Sequence, residues 1–364
     1  MAPTGTNPSF PAGLARQTRS AFTLIELLVS MAVLVMIILF VGQLVTSTTT
    51  ITVNSGKFLD SDNQARVIFS QMAYDFGAMF KRTDIHYYFH SQSGNDEFYF
   101  YSQASGNIAS QDPAGTTDAT INSASLIGYR VSDRISNGTR VELERLGRGL
   151  HWADVAPQSG AATSVLFLPA LISGSFQTAI ADAYNNSSNP DPHPSATSSV
   201  PEWDVIGDQV FRMEFGFLLT SGSFSNVPIT SPAGVKNNLD GSGAPGSAND
   251  STAGYSVGSR WYDASGQVAY CCTNATAGAA VWSSLGLQDV NAVVVAIALM
   301  DQKSRATTTT AAIITSGSTQ LSDFNTTPVA TSWLQNTDNV STFSGLNKTA
   351  ASSIHVYQRF FYLN

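Results

Sequence analysis

The chain has 364 residues, with 18 basic and 26 acidic side chains and a formal net charge of −8. Only 12% of residues are charged, about half the usual share, so the surface is built from hydroxyls and amides, which suits an exported protein better than a cytosolic enzyme. The first 21 residues hold Arg16 and Arg19 and no acid, which leaves the rest at −10, and no basic patch interleaved with aromatics marks nucleic acid as a partner.

The first predicted element is a helix from Phe22 to Val45. At 1.5 Å per residue it would be about 36 Å long, enough to cross a bilayer. A basic start before an acidic body is the polarity of an inserted chain whose positive end stays in the cytoplasm. Gly42-Gln43-Leu44-Val45 leads into Thr46-Ser47-Thr48 without a small-x-small cleavage pattern, which argues against an ordinary signal peptide. A passive anchor leaves Glu26 unexplained, because an acid in such a span costs about 2.5–3.5 kcal/mol on insertion scales. Removal of the basic leader before Phe22 would put a new terminal ammonium and the Glu26 carboxylate on the same first turn.

Ala21-Phe22-Thr23-Leu24-Ile25-Glu26-Leu27-Leu28-Val29 resembles the processing and N-methylation motif of type IV pilins and type II secretion pseudopilins. The resemblance implies that a prepilin peptidase/N-methyltransferase cuts between Ala21 and Phe22 and methylates the Phe22 amine. It implies that Glu26 assists assembly by meeting the terminal amine of a neighbouring subunit. The implied partners are that peptidase, other pseudopilins or pilins, and inner-membrane lipid, with the body in the periplasm or at the cell surface. The family usually has Gly before the cut, where this chain has Ala21.

Residues 46–82 read as an amphipathic continuation of the helix, frayed over the β-branched stretch Thr46–Ser55. Phe58, Ala65, Ile68 or Phe69, Met72, Phe76 and Met79 or Phe80 form a stripe at helical spacing, with Asp62, Arg66, Asp75 and Lys81 expected on other faces. Residues 83–364 then read as a β-rich body. Strands are expected at Glu97–Ser102, Leu126–Val131, Arg140–Leu146, Ser164–Leu168, Gln209–Leu219, Arg260–Tyr262, Val268–Cys271, Asn291–Leu299 and Ile354–Leu363. Val293–Leu299 is apolar throughout and is the candidate central strand. The segments 181–201 and 221–258 lack the apolar residues for a core and read as loops. Residues 260–282 read as a hairpin around Ala264-Ser265-Gly266, weakly similar to aromatic hairpins of phage-tail and surface-fibre proteins.

The expected fold is α+β and pilin-like: a long N-terminal transmembrane helix packed on a mostly antiparallel β-sheet. Size, the Trp-containing insertion and the return strand resemble the larger J-type minor pseudopilins and W-type minor pilins. Val356-Tyr357-Gln358-Arg359-Phe360-Phe361-Tyr362-Leu363 and the Asp208–Leu219 strand resemble the prepilin-type family called Verru_Chthon cassette protein C.

Catalytic signatures are scarce. There is no Gly-x-Ser-x-Gly, His-Glu-x-x-His or Walker-type loop, so the expectation is a non-enzyme without cofactor or metal. The i, i+4 pair His86 and His90 sits in an extended aromatic stretch, and His151, His193 and His355 stand apart. Glu142 and Glu144, interleaved with Arg140 and Arg145, read as surface ion pairs. Asp240-Gly241-Ser242 and Asn249-Asp250-Ser251 offer calcium-type oxygens without a calcium-loop spacing. Adjacent Cys271 and Cys272 read as half-buried strand thiols or a vicinal disulfide. The alternative function is a membrane-anchored adhesin or binding protein displaying 221–282, favoured by exposure of Trp261, Tyr262 and Tyr270.

Overall fold

The computed structural model describes residues 23–83, 85, 87–91, 94–106, 124–133, 141–149, 203–325, 327–339, 341, 343 and 345–363. The leader, the expected strand Ser164–Leu168, the segment 181–201, and His86, Arg140, His151 and His193 lie outside them. The chain divides into two compact units, Met1–Gly56 and Lys57–Asn364.

A single helix, α1 (Leu24–Gly77, 54 residues), runs from the first unit into the second. The fraying expected over Thr46–Ser55 does not occur. Thr46, Thr48, Thr49 and Thr52 each donate a hydroxyl to the carbonyl four residues earlier, at 2.8–2.9 Å, so these side chains bond back to the helix rather than competing with it.

In the second unit the stripe is largely as the spacing requires. Ala65, Ile68, Phe69, Met72 and Phe76 are buried in the main core, while Phe58 remains 56% exposed with its ring 4.2 Å from that of His355. Asp62 and Arg66 form an exposed i, i+4 ion pair at 2.9 Å. Asp75 departs from the expectation. It lies on the buried face beside Phe76, where Arg145 grips its carboxylate bidentately at 2.6 and 2.8 Å and the Tyr129 hydroxyl donates to it. A charge tolerates that position because its partner comes with it.

The strands form three sheets rather than one. The first joins β1 (Tyr88–His90), β2 (Glu97–Ser102), β3 (Ser125–Asp133), β4 (Val141–Gly149) and β5 (Trp203–Gly207) in sequence order, antiparallel throughout. The second joins β6 (Val210–Leu219), β7 (Phe224–Ser225), β12 (Val290–Met300) and β13 (Ile354–Tyr362), ordered β13-β12-β6-β7 and also antiparallel. The third joins β8 (Asn238–Gly241), β9 (Arg260–Asp263), β10 (Val268–Asn274) and β11 (Val281–Ser284), with β8 parallel to β9.

Strand β12 explains its own sequence. Val293, Val295, Ile297 and Leu299 enter the core shared with α1 and the first sheet, whereas Val294, Ala296, Ala298 and Met300 face a second core. A strand buried on both faces needs an unbroken apolar run, and each large side chain so buried contributes about 1.5–3 kcal/mol. The second core is roofed by three short helices, α3 (Thr310–Gln320), α4 (Val329–Asp338) and α5 (Lys348–Ala351), reached from β12 through the single turn α2 (Gln302–Ala306), and the apolar periodicity announces none of them. Their starts are nevertheless written in side chains. Asp301, Thr309 and Asn347 accept hydrogen bonds from first-turn amides of α2, α3 and α5. Under this roof Phe324 lies flat on Gly216 of β6, where an added Cβ would sit 2.3 Å from the ring.

The outer side of β6 is closed by two side chains. Asn95 Oδ1 accepts from the Met213 amide at 2.8 Å and Asp96 Oδ2 from the Phe215 amide at 3.0 Å, while the Asp96 amide donates to Met213 O at 3.2 Å. These residues stand where a neighbouring strand would.

The segment 221–258 also differs from a bare loop. It contributes β7, β8 and a 3-10 turn at Ser251–Ala253, and its Ile229 joins Tyr262 and Ala269 in a small core of its own. The expected hairpin is formed by β9 and β10, with Tyr270 paired to Trp261.

Candidate functional site

The candidate site begins where α1 begins. Thr23 precedes the first helical residue, and Glu26 is the third. The Thr23 amide and hydroxyl both donate to Glu26 Oε2 at 3.2 Å, and the Glu26 amide donates to Thr23 Oγ1 at 3.3 Å. This is a reciprocal capping box, which satisfies otherwise orphaned amides at the helix start. The Thr-x-x-Glu spacing is itself the sequence signal for this cap. It gives Glu26 a role in its own helix before any partner is considered, and the same carboxylate stands at the positive end of the helix dipole.

Ala21 and Phe22 lie outside the described residues, so the implied cleavage bond and methylated amine are not located; α1 starts two residues past Phe22. Beyond Glu26 the helix is apolar around its circumference. Residues Leu24–Thr49 are long and apolar enough to cross a membrane, and none of that span is buried within the protein. Ile25, Glu26, Val29, Ser30, Val33 and Leu34 share a groove along one side. Ser30 turns its hydroxyl back to Leu27 O at 2.9 Å, leaving little polarity to face lipid. The arrangement presents an apolar rod with one carboxylate near its tip.

The other sequence candidates are committed elsewhere. Glu144 is fully buried and pairs with Arg130 at 2.8 Å rather than with its neighbour Arg145 at the surface, and Arg140 lies outside the described residues. The correction follows from register, which sets Arg130 directly opposite Glu144 on β3 and β4, whereas Arg145 is on the opposite face reaching Asp75. Glu142 is buried as well. His90 ends strand β1, and His86 lies outside the described residues. Among the described residues no group of three or more His, Cys, Asp or Glu side chains is placed to hold a metal ion.

Asp250 caps the 3-10 turn. Its Oδ1 accepts from the Thr252 amide and hydroxyl and the Ala253 amide, and its Oδ2 accepts from the Gly278 amide at 2.5 Å. Those bonds, Gly278 foremost, hold its carboxyl down at about 2. Cys271 and Cys272 are free thiols on β10, one half-buried and one buried, with Arg260 Nη1 2.9 Å from Cys271 Sγ.

The aromatics of the excursion split. Tyr262 is buried, while Trp261 and Tyr270 are half-buried. Trp261 donates its indole N–H to Gly243 O at 2.8 Å and stands 6.0 Å, centroid to centroid, from Trp282.

Comparison with known proteins agrees with the N-terminal geometry. Residues 16–42 match the family model described as the prokaryotic N-terminal methylation motif. No curated protein and no solved structure matches the chain. The motif, with the single apolar helix that follows it and the antiparallel sheets of the body, supports a type IV pilin- or pseudopilin-like protein with an α+β architecture and an N-terminal membrane anchor.

Proposed function

We propose that the chain is a non-enzymatic minor subunit of a type II secretion pseudopilus or a type IV pilus-like filament. Within that group it is a larger J-type or W-type subunit, close to the Verru_Chthon cassette protein C family. A prepilin peptidase cuts between Ala21 and Phe22 and methylates the new amine. The apolar helix then leaves the inner membrane for the filament, where Glu26 meets the Phe22 amine of a neighbour and two charges are compensated that would each be costly alone.

The observation that carries this reading is the placement of Thr23 and Glu26. They sit within the matched motif, at the tip of a helix whose apolar surface has no partner inside the described protein. The bulk of the body and the 221–282 excursion suit a low-copy tip or initiation subunit, because bulk hinders helical stacking. Mass analysis of the mature N-terminus tests the reading. N-methyl-Phe22 is expected; an intact Met1 start, or a cut after Val45, would refute it. Even labelling along purified filaments would refute the tip position.

The rival, a membrane-anchored binding protein displaying 221–282, draws support from the clustered rings of Tyr255, Trp261 and Trp282. Those rings fill their own small sheet, with Trp261 laid against Gly241 so closely that a Cβ there would meet the indole at 2.2 Å, which favours a scaffold role.

A further inference from the structure

The two edges of the second sheet are finished differently. On β6, Asn95 and Asp96 occupy the outward backbone groups of Met213 and Phe215, Asn95 reaches Phe211 O, and β7 covers Phe217. On β13 the ladder to β12 includes the Leu363 amide donating to Asn291 O at 2.9 Å. In an antiparallel pair that bond fixes the parity. Residues 355, 357, 359 and 361 bond to β12, so Val356, Gln358, Phe360 and Tyr362 turn their N–H and C=O groups away from it. Among the described residues no strand and no side chain meets those outward groups.

This edge is nine residues long, in unbroken register with β12 from Ile354 to Tyr362. It carries no proline or bulge and a single fixed charge, Arg359, so it lacks the devices that keep edges from pairing. Tyr362, at its end, is 66% exposed.

We infer that β13 pairs antiparallel with β13 of a second copy of this chain, about a two-fold axis through Gln358, so that the two sheets become one. The parity requires even-numbered residues to face even-numbered ones. Centring on Gln358 pairs the whole of both strands and forms about ten backbone hydrogen bonds. It sets Val356 against Phe360, His355 against Phe361, and Arg359 against the ring of Tyr357, with no like charges opposed. A slip that centres the pair on Arg359 would place two guanidiniums directly opposite each other, which is unfavourable. The strand is therefore complementary to itself in one register, which names a second copy as the occupant rather than an arbitrary peptide. The pairing is made by the β13 backbone, which α1 flanks through Phe58 on His355 and Phe69 on Phe361, and it uses none of the matched residues 16–42, so it does not depend on the filament reading.

The test uses the full-length chain in detergent micelles. Gln358→Cys puts a thiol from each copy across the axis, and mild oxidation is expected to give a covalent dimer at least tenfold faster than Val205→Cys on β5 or the unsubstituted chain, whose Cys271 and Cys272 set the background. Tyr357→Arg, which opposes Arg359 of the other copy, is expected to weaken dimerisation at least tenfold by light scattering. Adding Arg359→Asp to it is expected to restore dimerisation. Trapping no faster than at Val205, or a dimer indifferent to Tyr357→Arg, overturns the inference. The mature N-terminus is weighed in the same samples, so failure of the dimer and failure of processing are separately visible.

Discussion

Replacing Asp75 with alanine should be among the most damaging single changes in the body. Its side chain is fully buried and that of Arg145 is 3% exposed, with the two joined at 2.6 and 2.8 Å. Removing the carboxylate leaves a guanidinium out of water without its counter-charge and deprives the Tyr129 hydroxyl of its acceptor. Breaking one side of such a pair costs about 3–5 kcal/mol, a large part of the roughly 5–15 kcal/mol by which domains are stable. At a urea dependence of about 2 kcal/mol per molar, the midpoint should fall by roughly 2 M, followed by tryptophan fluorescence of the full-length chain in detergent. Arg145→Met should lose a similar amount for the mirror reason. The double change Asp75→Leu with Arg145→Met should recover most of the loss, because neither charge then remains to be desolvated. A single loss below about 1 kcal/mol, or a double variant as unstable as the two losses added, would show that the pair is not desolvated as the structure describes.

Three further outcomes follow from the geometry. Thr23→Ala removes one half of the capping box and should cost about 0.5–2 kcal/mol at the start of α1, seen as faster amide exchange over Leu24–Leu27; unchanged exchange there would mean that the cap is not formed. Gly216→Ala drives a methyl into the Phe324 ring and should destabilise by about 1–3 kcal/mol, whereas a neutral result in thermal unfolding would mean that the roof over β6 is loose. Asp250 has a folded pKa of about 2, held down first by the Gly278 amide. A depressed carboxylate contributes stability that is complete above the ordinary range near 4 and is lost as pH falls through 2. Tryptophan emission should therefore change between about pH 4 and 2 as the loop around Trp282 loosens, and Asp250→Asn should remove that step.

Much of the fold was legible because the relevant pattern was local. The run Val293–Leu299 could be read as a central strand since burial on both faces leaves no place for a polar residue, and the helical stripe from Ala65 to Phe76 marks the face that meets the sheets. What stayed hidden depends on partners distant in sequence. Asp75 looked like a surface residue because nothing nearby reveals Arg145, and Glu144 looked exposed because its partner Arg130 is on another strand. Helices α2 to α5 are four to eleven residues long, too short to repeat an apolar period, although Asp301, Thr309 and Asn347 stood ready as caps. At the N-terminus the motif is fully visible, and the external partner it implies for Glu26 masks the nearer one, Thr23 three residues before it.

The pair Asn95 and Asp96 has a consequence for how far such molecules can join. A sheet whose two sides were both available would accept a neighbour on each and lengthen without limit, the geometry of a fibre. With the outer side of β6 stoppered by two side chains and continued by β7, the described part of this sheet offers β13 as its vacant side. Joining through β13 consumes both vacancies at once, so sheet growth halts at two chains, and the stopper rather than the contact sets that number.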